Sequence, residues 1–200
     1  MAAESRLTHR IFGYPGSERL VVLIGTGVGV AMDPLPAETA ARKVTVLAVA
    51  LGEATMLDPG GYGGETPAEQ TADWLVALTR QTLAAMEPTA AQSAGVVVYG
   101  PAMDVAVRAA ALLGEEVDRL ALVAVATPEQ PLDRDDLGEL IGRITAEALI
   151  INDDSAAESA SWYAERLASA QVELVAQAAP LPLSAVWGRA LSHVAPDAGR

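Results

Sequence analysis

Four side chains are candidates for catalytic chemistry: the carboxylates of Asp104 and Asp154, the hydroxyl of Ser155 and the imidazole of His193. A hydroxyl becomes a nucleophile when a neighbouring base takes its proton, and a carboxylate can orient that base. Histidine is the usual base, and the chain has only one other, His9. Because the chain has no cysteine, a thiolate nucleophile and a cysteine metal site are excluded.

Strand and helix signals alternate along the chain, which predicts a mostly parallel sheet with helices on both faces. The predicted strands are Arg6 to Phe12, Arg19 to Ile24, Val44 to Ala50, Val96 to Tyr99, Leu120 to Val125, Ala146 to Ile151 and Val172 to Ala176. The predicted helices are Pro36 to Arg42, Thr66 to about Met86, Val105 to Leu113, Asp135 to Arg143, Ala156 to Ala168 and Leu183 to His193. The elements suit one α/β domain over residues 1–200, with residues 1–10 and 194–200 frayed.

A tight turn joins the central strand to the helix that follows it. The turn, Gly100-Pro101-Ala102-Met103-Asp104, resembles the nucleophile elbow G-x-S-x-G of the α/β-hydrolase family. The stretch Leu20 to Gly27 stands where that family has a strand followed by H-G-x. The resemblance extends from about Arg10 to His193. It implies an α/β-hydrolase-like domain without a lid, since Thr127 to Arg134 is too short to form one.

The elbow and its partners depart from the family pattern. Ala102 stands at the nucleophile position, and an alanine methyl group has no lone pair. The acid position matches Asp153 or Asp154, but the segment Gln177 to Pro182, where the family carries its histidine, has no base. His193 follows one helix too late. We therefore expect a non-catalytic binding or interaction protein of α/β-hydrolase-like fold.

The alternative is a hydrolase of esterase or thioesterase type that has moved its chemistry to Asp104, Asp154, Ser155 or His193. Each of these residues also has a structural interpretation. Asp104 suits the first turn of a helix whose cap is Gly100 and whose first residue is Pro101. Asp154 or Ser155 suits a helix cap, and His193 suits a helix C-terminus.

A binding site does not need the triad. The resemblance implies that the backbone N–H groups of Thr26, Gly27 and Met103, next to Ala102, face a pocket above the sheet. Such donors suit a small carbonyl-containing or anionic ligand. A protein partner is the other expectation.

A nucleotide-binding, Rossmann-like domain is a second alternative. Gly25-Thr26-Gly27-Val28-Gly29 follows a strand, and Glu53 could bind a ribose. However, Val30 stands where a G-x-G-x-x-G motif has its third glycine, and Asp33 to Pro36 delays the helix. The sequence therefore predicts no cofactor.

The composition limits the partners. With 26 acidic and 13 basic residues the net charge is −13, so no concentrated positive surface is expected for nucleic acid or an anionic membrane. We expect a cytoplasmic protein, because the stretch Met1 to Arg10 has no apolar signal core and the uncharged stretch Leu20 to Met32 is too short to cross a bilayer as a helix. A GC-rich bacterial genome is expected because arginine greatly outnumbers lysine in an alanine-rich chain. No metal site is predicted, because the acidic cluster Asp133 to Asp136 suits the start of a helix. Trp162, Tyr163 and Trp187 suit the core, with an exposed interaction patch as the alternative.

Overall fold

The computed structural model describes residues 8–14, 16–27, 32–52, 67–86, 93–128, 131–176 and 180–196, without the side chains of residues 67 and 131–134. The strands are β1 (Thr8–Gly13), β2 (Leu20–Thr26), β3 (Thr45–Leu51), β4 (Ala94–Tyr99), β5 (Val117–Val123), β6 (Glu147–Asp153) and β7 (Ala170–Val175). The helices are α1 (Pro36–Arg42), α2 (Pro67–Ala85), α3 (Met103–Leu113), α4 (Pro131–Ile141), α5 (Ala157–Ala164) and α6 (Leu183–Val194).

All seven strands form one sheet in the order β1-β3-β2-β4-β5-β6-β7. Strand β1 runs antiparallel to β3, and each of the other neighbouring pairs is parallel. The predicted fold class, a mostly parallel sheet between helices, is therefore confirmed.

Strands β2, β3 and β4 are apolar along almost their whole length because both faces of the sheet are covered. Leu20, Val22 and Ile24 of β2 pack in the core that also contains residues of α2, α3, α4 and α5. Val21 and Leu23 point to the opposite face, where α6 lies. Alternate residues of one strand thus supply two separate cores.

Two of the three predicted core aromatics are fully buried, and each has a partner for its polar atom. Trp187 donates from Nε1 to Thr39 Oγ1 at 3.0 Å. The Tyr163 hydroxyl donates to the Ala126 carbonyl at 2.9 Å. The third, Trp162, is half-buried, with the Arg166 guanidinium 4.2 Å above its ring. The prediction that these residues join the core is confirmed for Tyr163 and Trp187.

The ordered structure extends further at both ends than the sequence predicts. Thr8, His9 and Arg10 pair with β3 instead of fraying, and Val194 and Ala195 are fully buried. Residues 1–7 and 197–200 lie outside the described residues.

The amino edge of the sheet is held by Arg19, which directly precedes β2. Its guanidinium bonds the Val194 carbonyl at the end of α6, at 2.6 and 2.9 Å. It also bonds Asp118 in β5 at 2.6 and 3.1 Å, and Ser93 just before β4. One side chain therefore joins three neighbouring strands to the C-terminal helix.

Gly95 lets α6 approach β4 closely. A β-carbon on Gly95 would lie 2.4 Å from the Val194 carbonyl oxygen and 2.6 Å from the Val194 β-carbon. Both contacts are far inside van der Waals distance. Any side chain here would push the end of α6 away from the sheet.

We expect Gly95→Ala to lower the free energy of unfolding by about 2 kcal/mol, because the added methyl group overpacks a rigid contact. Gly188→Ala, within α6, is the matched control: its β-carbon would meet only the movable Glu38 carboxylate at 3.3 Å. The control should be neutral or stabilising, since alanine favours helix. Urea unfolding measures both, and equal effects would contradict the close-approach explanation.

Candidate functional site

The carboxyl ends of the parallel strands meet at one edge of the sheet, where α/β folds place their ligand sites. Thr26, Tyr99 and Asp153 end β2, β4 and β6 at this edge, and α3 begins there at Met103. The structure thus brings the elbow and the segment after β6 to the same edge.

The elbow has the predicted position but not the backbone geometry of a strained nucleophile. Gly100 has a φ of +67° and donates its N–H to the Val123 carbonyl at 3.0 Å. Ala102 has a φ of −76° and a ψ of 11°, is 2% exposed and belongs to the apolar core. Its side chain therefore points into the protein.

The helix after the elbow starts at Met103, two residues before the predicted helix Val105 to Leu113 and two residues after the predicted first position at Pro101. Ala102 is the N-cap of α3 and Met103 is its first residue, so the predicted cap at Gly100 and first position at Pro101 are wrong. The positive φ of Gly100 takes the chain out of the strand, which leaves two further residues before helical geometry begins.

Asp104 lies in the first turn of α3, as predicted. Its Oδ1 accepts a hydrogen bond from Arg108 Nε at 2.8 Å, and Arg108 Nη1 lies 3.6 Å from Glu69 Oε1 in α2. The Asp104 carboxylate is therefore paired with an arginine one helical turn further on. This arrangement stabilises the helix start and makes Asp104 a weak candidate for a proton acceptor.

The acidic segment after β6 forms its own cap. Asp153 accepts hydrogen bonds from the Ser155 N–H at 2.9 Å and from the Ser155 hydroxyl, and caps the short 3-10 turn Asp154–Ala156. The predicted helix cap at Asp154 or Ser155 is therefore wrong. Asp153 caps the 3-10 turn that precedes α5, and the N-cap of α5 is Ala156, whose side chain makes no capping bond. Asp154 and Ser155 are exposed, whereas Asp153 is buried.

Asn152 is the polar residue at this edge to which the sequence analysis gave no role. It is fully buried, accepts from the Val125 N–H at 2.9 Å, and donates to the Val125 carbonyl at 2.9 Å. It also donates to the Ala156 carbonyl at 3.3 Å. An asparagine directly after a continuous apolar strand is the signal that could have indicated this role.

The segment after β5 is short and fixed in place. Residues 124–130 separate β5 from α4, so the chain has no room for a lid domain there. Besides the bonds from Asn152, the Thr127 N–H donates to Ser159 Oγ at 3.2 Å. The described part of this segment, up to residue 128, is thus attached to β6 and α5.

His193 lies at the opposite edge of the sheet from the elbow. Its Nε2 is 3.0 Å from the carbonyl oxygen of Glu147, the first residue of β6, so the ring is protonated at Nε2. Burial lowers its pKa, and the charge of Arg119 lowers it further, against opposing contributions from Glu147. His193 is therefore neutral at pH 7 and too distant to serve Asp154 or Ser155.

His9 also lies away from the elbow. It is in β1, at the outer edge of the sheet, and packs edge-on against Trp74 with the ring centroids 5.8 Å apart. With both histidines placed, no imidazole lies beside Ala102.

Of the three predicted backbone donors, Gly27 is already engaged. Its N–H donates to the Leu51 carbonyl at 3.3 Å, because the chain continues the β3 pairing one residue beyond β2. Met103 is the first residue of α3, a position whose N–H has no partner within its own helix. Thr26 ends β2 and is half-exposed.

The dinucleotide alternative does not match the geometry of the described residues. After Gly25, Thr26 and Gly27 the first helix begins only at Pro36, whereas a pyrophosphate loop leads directly into a helix. Val28 to Val30 and Glu53 lie outside the described residues. Within the described part of the chain, no three metal-ligating side chains cluster, and no helix is long and apolar enough to cross a membrane.

Comparisons with solved structures identify the fold. A predicted CIB-like hydrolase from Thermoplasma acidophilum superposes with a TM-score of 0.64 at 16% identity, covering 92% of this chain and 89% of the other. The enol-lactonase from Burkholderia xenovorans LB400 gives 0.64 at 14% identity, covering 94% and 95%. The thioesterase domain from the curacin biosynthetic pathway gives 0.61 at 12% identity, covering 96% and 98%. The chain has the α/β-hydrolase fold, with no lid evident, as the resemblance implied.

No protein-family model matches the sequence, and no curated protein matches it either. At these low identities the structural neighbours establish the fold alone.

We expect Asn152→Ala to lower the free energy of unfolding by about 2 kcal/mol, because Val125 would keep a buried N–H and a buried carbonyl without partners. The exposed neighbour Asp154 is the control: Asp154→Ala should change stability by less than about 0.5 kcal/mol. Urea unfolding followed by circular dichroism measures both. A small effect at Asn152 would show that the segment after β5 does not depend on this side chain.

The lowered pKa of His193 predicts a pH dependence of stability. The unfolded chain takes up a proton on this ring below about pH 6.5, while the folded chain resists doing so, hence stability falls as the pH falls. The urea concentration at the midpoint of unfolding should fall between pH 7.5 and pH 5.5. This fall should be smaller in His193→Gln and His193→Asn than in the unchanged protein. Equal losses in all three would mean that the ring titrates alike in both states.

Proposed function

We propose that this protein binds a small, neutral carbonyl-containing ligand at the carboxyl edge of the sheet and does not form an acyl-enzyme. The observation that carries this proposal is the elbow itself. The nucleophile position holds Ala102, whose side chain is buried in the apolar core, and neither histidine lies beside it. Loss of both nucleophile and base removes most of a triad's rate enhancement.

The N-terminus of α3 would attract the carbonyl oxygen of the ligand. The N–H of Met103 opens the helix, and the positive end of the helix dipole favours a carbonyl oxygen there. The same edge carries the carboxylates of Asp104, Asp153 and Asp154. These negative charges favour a neutral carbonyl over an anion, which narrows the ligand class that the sequence suggested.

Ester or thioester hydrolysis from a rearranged site is the second candidate function, and the structural comparisons favour it. The neighbours are described as hydrolases, a thioesterase domain and a lactonase. The residues that could support hydrolysis lie in the segment after β6. There the Ser155 hydroxyl donates a hydrogen bond to Asp153, and the Asp154 carboxylate is exposed. A carboxylate there would activate the hydroxyl or a water molecule without an imidazole.

Hydrolysis of p-nitrophenyl butyrate and of butyryl thioesters separates the two candidates. We expect no turnover above background from the folded protein, and none from Ala102→Ser, because the new hydroxyl would be buried and without a base. A fluorophosphonate should likewise fail to label Ala102→Ser. Turnover that disappears in Asp153→Asn, Asp154→Asn or Ser155→Ala, but survives in His193→Gln, would overturn the proposal in favour of the rearranged hydrolase.

Binding is tested directly with butyramide, a carbonyl ligand that resists hydrolysis. In a titration followed by amide chemical shifts, the Met103 and Asp104 resonances should move saturably. Hexane serves as the apolar control, and butyrate as the anionic control. Shifts confined to other parts of the protein, or stronger binding of butyrate, would contradict the proposed site.

A further inference from the structure

A groove on the outer surface of the helical layer is a second place where this protein could hold a ligand. It lies between α2, α3 and the end of α4, and has a cavity volume of about 330 Å³. That volume is at the lower end of the range for small-molecule sites. The groove is formed by helix faces, so it is a separate surface from the strand ends that form the carboxyl edge.

The floor of the groove is apolar and open. Ala111 in α3 is partly exposed, and Ala72 in α2 lies fully buried below it; both side chains are too small to fill the space between their helices. Leu112 and Leu140 supply apolar surface, and 53% of Leu112 is exposed. A methylene chain lying here would be removed from water.

The walls carry charges of both signs. Glu69 and Asp73 are four residues apart on α2, so both carboxylates lie on one face of that helix. Arg108 of α3 and Arg143, just beyond α4, supply the positive charges. The groove is thus lined by equal numbers of acidic and basic side chains.

Two of these four charged groups, Asp73 and Arg143, are available to form an ion pair with a ligand. Arg108 is already occupied between Asp104 and Glu69, at 2.8 and 3.6 Å. Arg143 is 67% exposed, and its one ion pair within the described part of the chain is to Glu139 at 4.0 Å. Asp73 is exposed and forms no ion pair with any described residue. The two walls therefore offer an anion and a cation across an apolar floor.

The geometry points to a binding site for a small ω-amino acid, a zwitterion whose ammonium and carboxylate are separated by a methylene chain. The ammonium contacts Asp73, the carboxylate contacts Arg143, and the methylene chain covers Ala111 and Leu112. A simple amine would also meet two arginines, and a simple carboxylate would meet two acids in a protein of net charge −13. Only a ligand with both charges satisfies both walls.

The probe is 6-aminohexanoate, measured by calorimetric titration against hexanoate and hexylamine, each of which lacks one charge. We expect saturable binding of 6-aminohexanoate and binding of each single-charge probe weaker by about threefold or more, the contribution of a partly exposed ion pair. Equal affinities for the three probes, or no saturable binding of 6-aminohexanoate, would overturn the proposal.

Variants locate the site. Asp73→Asn and Arg143→Gln should each weaken the binding of 6-aminohexanoate by about threefold, because each removes one attractive charge. Neither variant should weaken the single-charge probe that the removed group repels, which is hexanoate for Asp73→Asn and hexylamine for Arg143→Gln. Ala111→Leu should abolish binding by filling the floor. Glu18→Gln and Arg189→Gln remove the same charges from exposed positions outside the groove and should have no effect. Unchanged affinity in Asp73→Asn and Arg143→Gln, or equal losses in the two controls, would show that the probe binds elsewhere.

Discussion

The parallel alignment of six strands is the constraint on which the rest of the structure depends. A parallel sheet needs cover on both faces, so β2, β3 and β4 are almost entirely buried, and each connection between consecutive parallel strands includes a helix. The alignment also sends all strand ends with functional potential to one edge. At the other edge the protein must bind the free carbonyls of its last helix, and Arg19 does so while joining β2, β4 and β5. Gly95 makes the same contact possible by leaving room for Val194.

The carboxyl edge retains the outline of a hydrolase site, but its side chains are used for structure. Asp104 is held by Arg108, Asp153 caps a turn through Ser155, and Asn152 bonds the segment after β5. In a site where polar side chains bond one another, the backbone at the start of α3 becomes the principal means of attracting a ligand. The proposal of a carbonyl-binding site depends on this arrangement of polar side chains at the carboxyl edge.

The Arg108 side chain connects the carboxyl edge of the sheet to the groove between α2, α3 and α4. Arg108 contacts Asp104 at the start of the elbow helix and Glu69 on the wall of the outer groove. Two carboxylates therefore share one guanidinium across α2 and α3. Arg108 is 22% exposed, but Asp104 and Glu69 are 51% and 43% exposed, so water screens both ion pairs. The groove stays open beside Arg108 because small residues, Ala72 and Ala111, alternate with charged residues on α2 and α3.

The sequence by itself determined the order of strands and helices, the parallel sheet and the elbow between β4 and α3, because hydrophobic periodicity and turn residues act locally. It also determined that Ala102 cannot attack a carbonyl. Tertiary structure alone decided which polar groups meet. The separation of His193 from Asp154 depends on packing α6 against the amino edge, and the use of the Gly27 N–H depends on pairing with β3. The bonds of Asn152 likewise depend on where β6 ends relative to β5. Such contacts join residues far apart in the chain, and spacing along the sequence does not encode them.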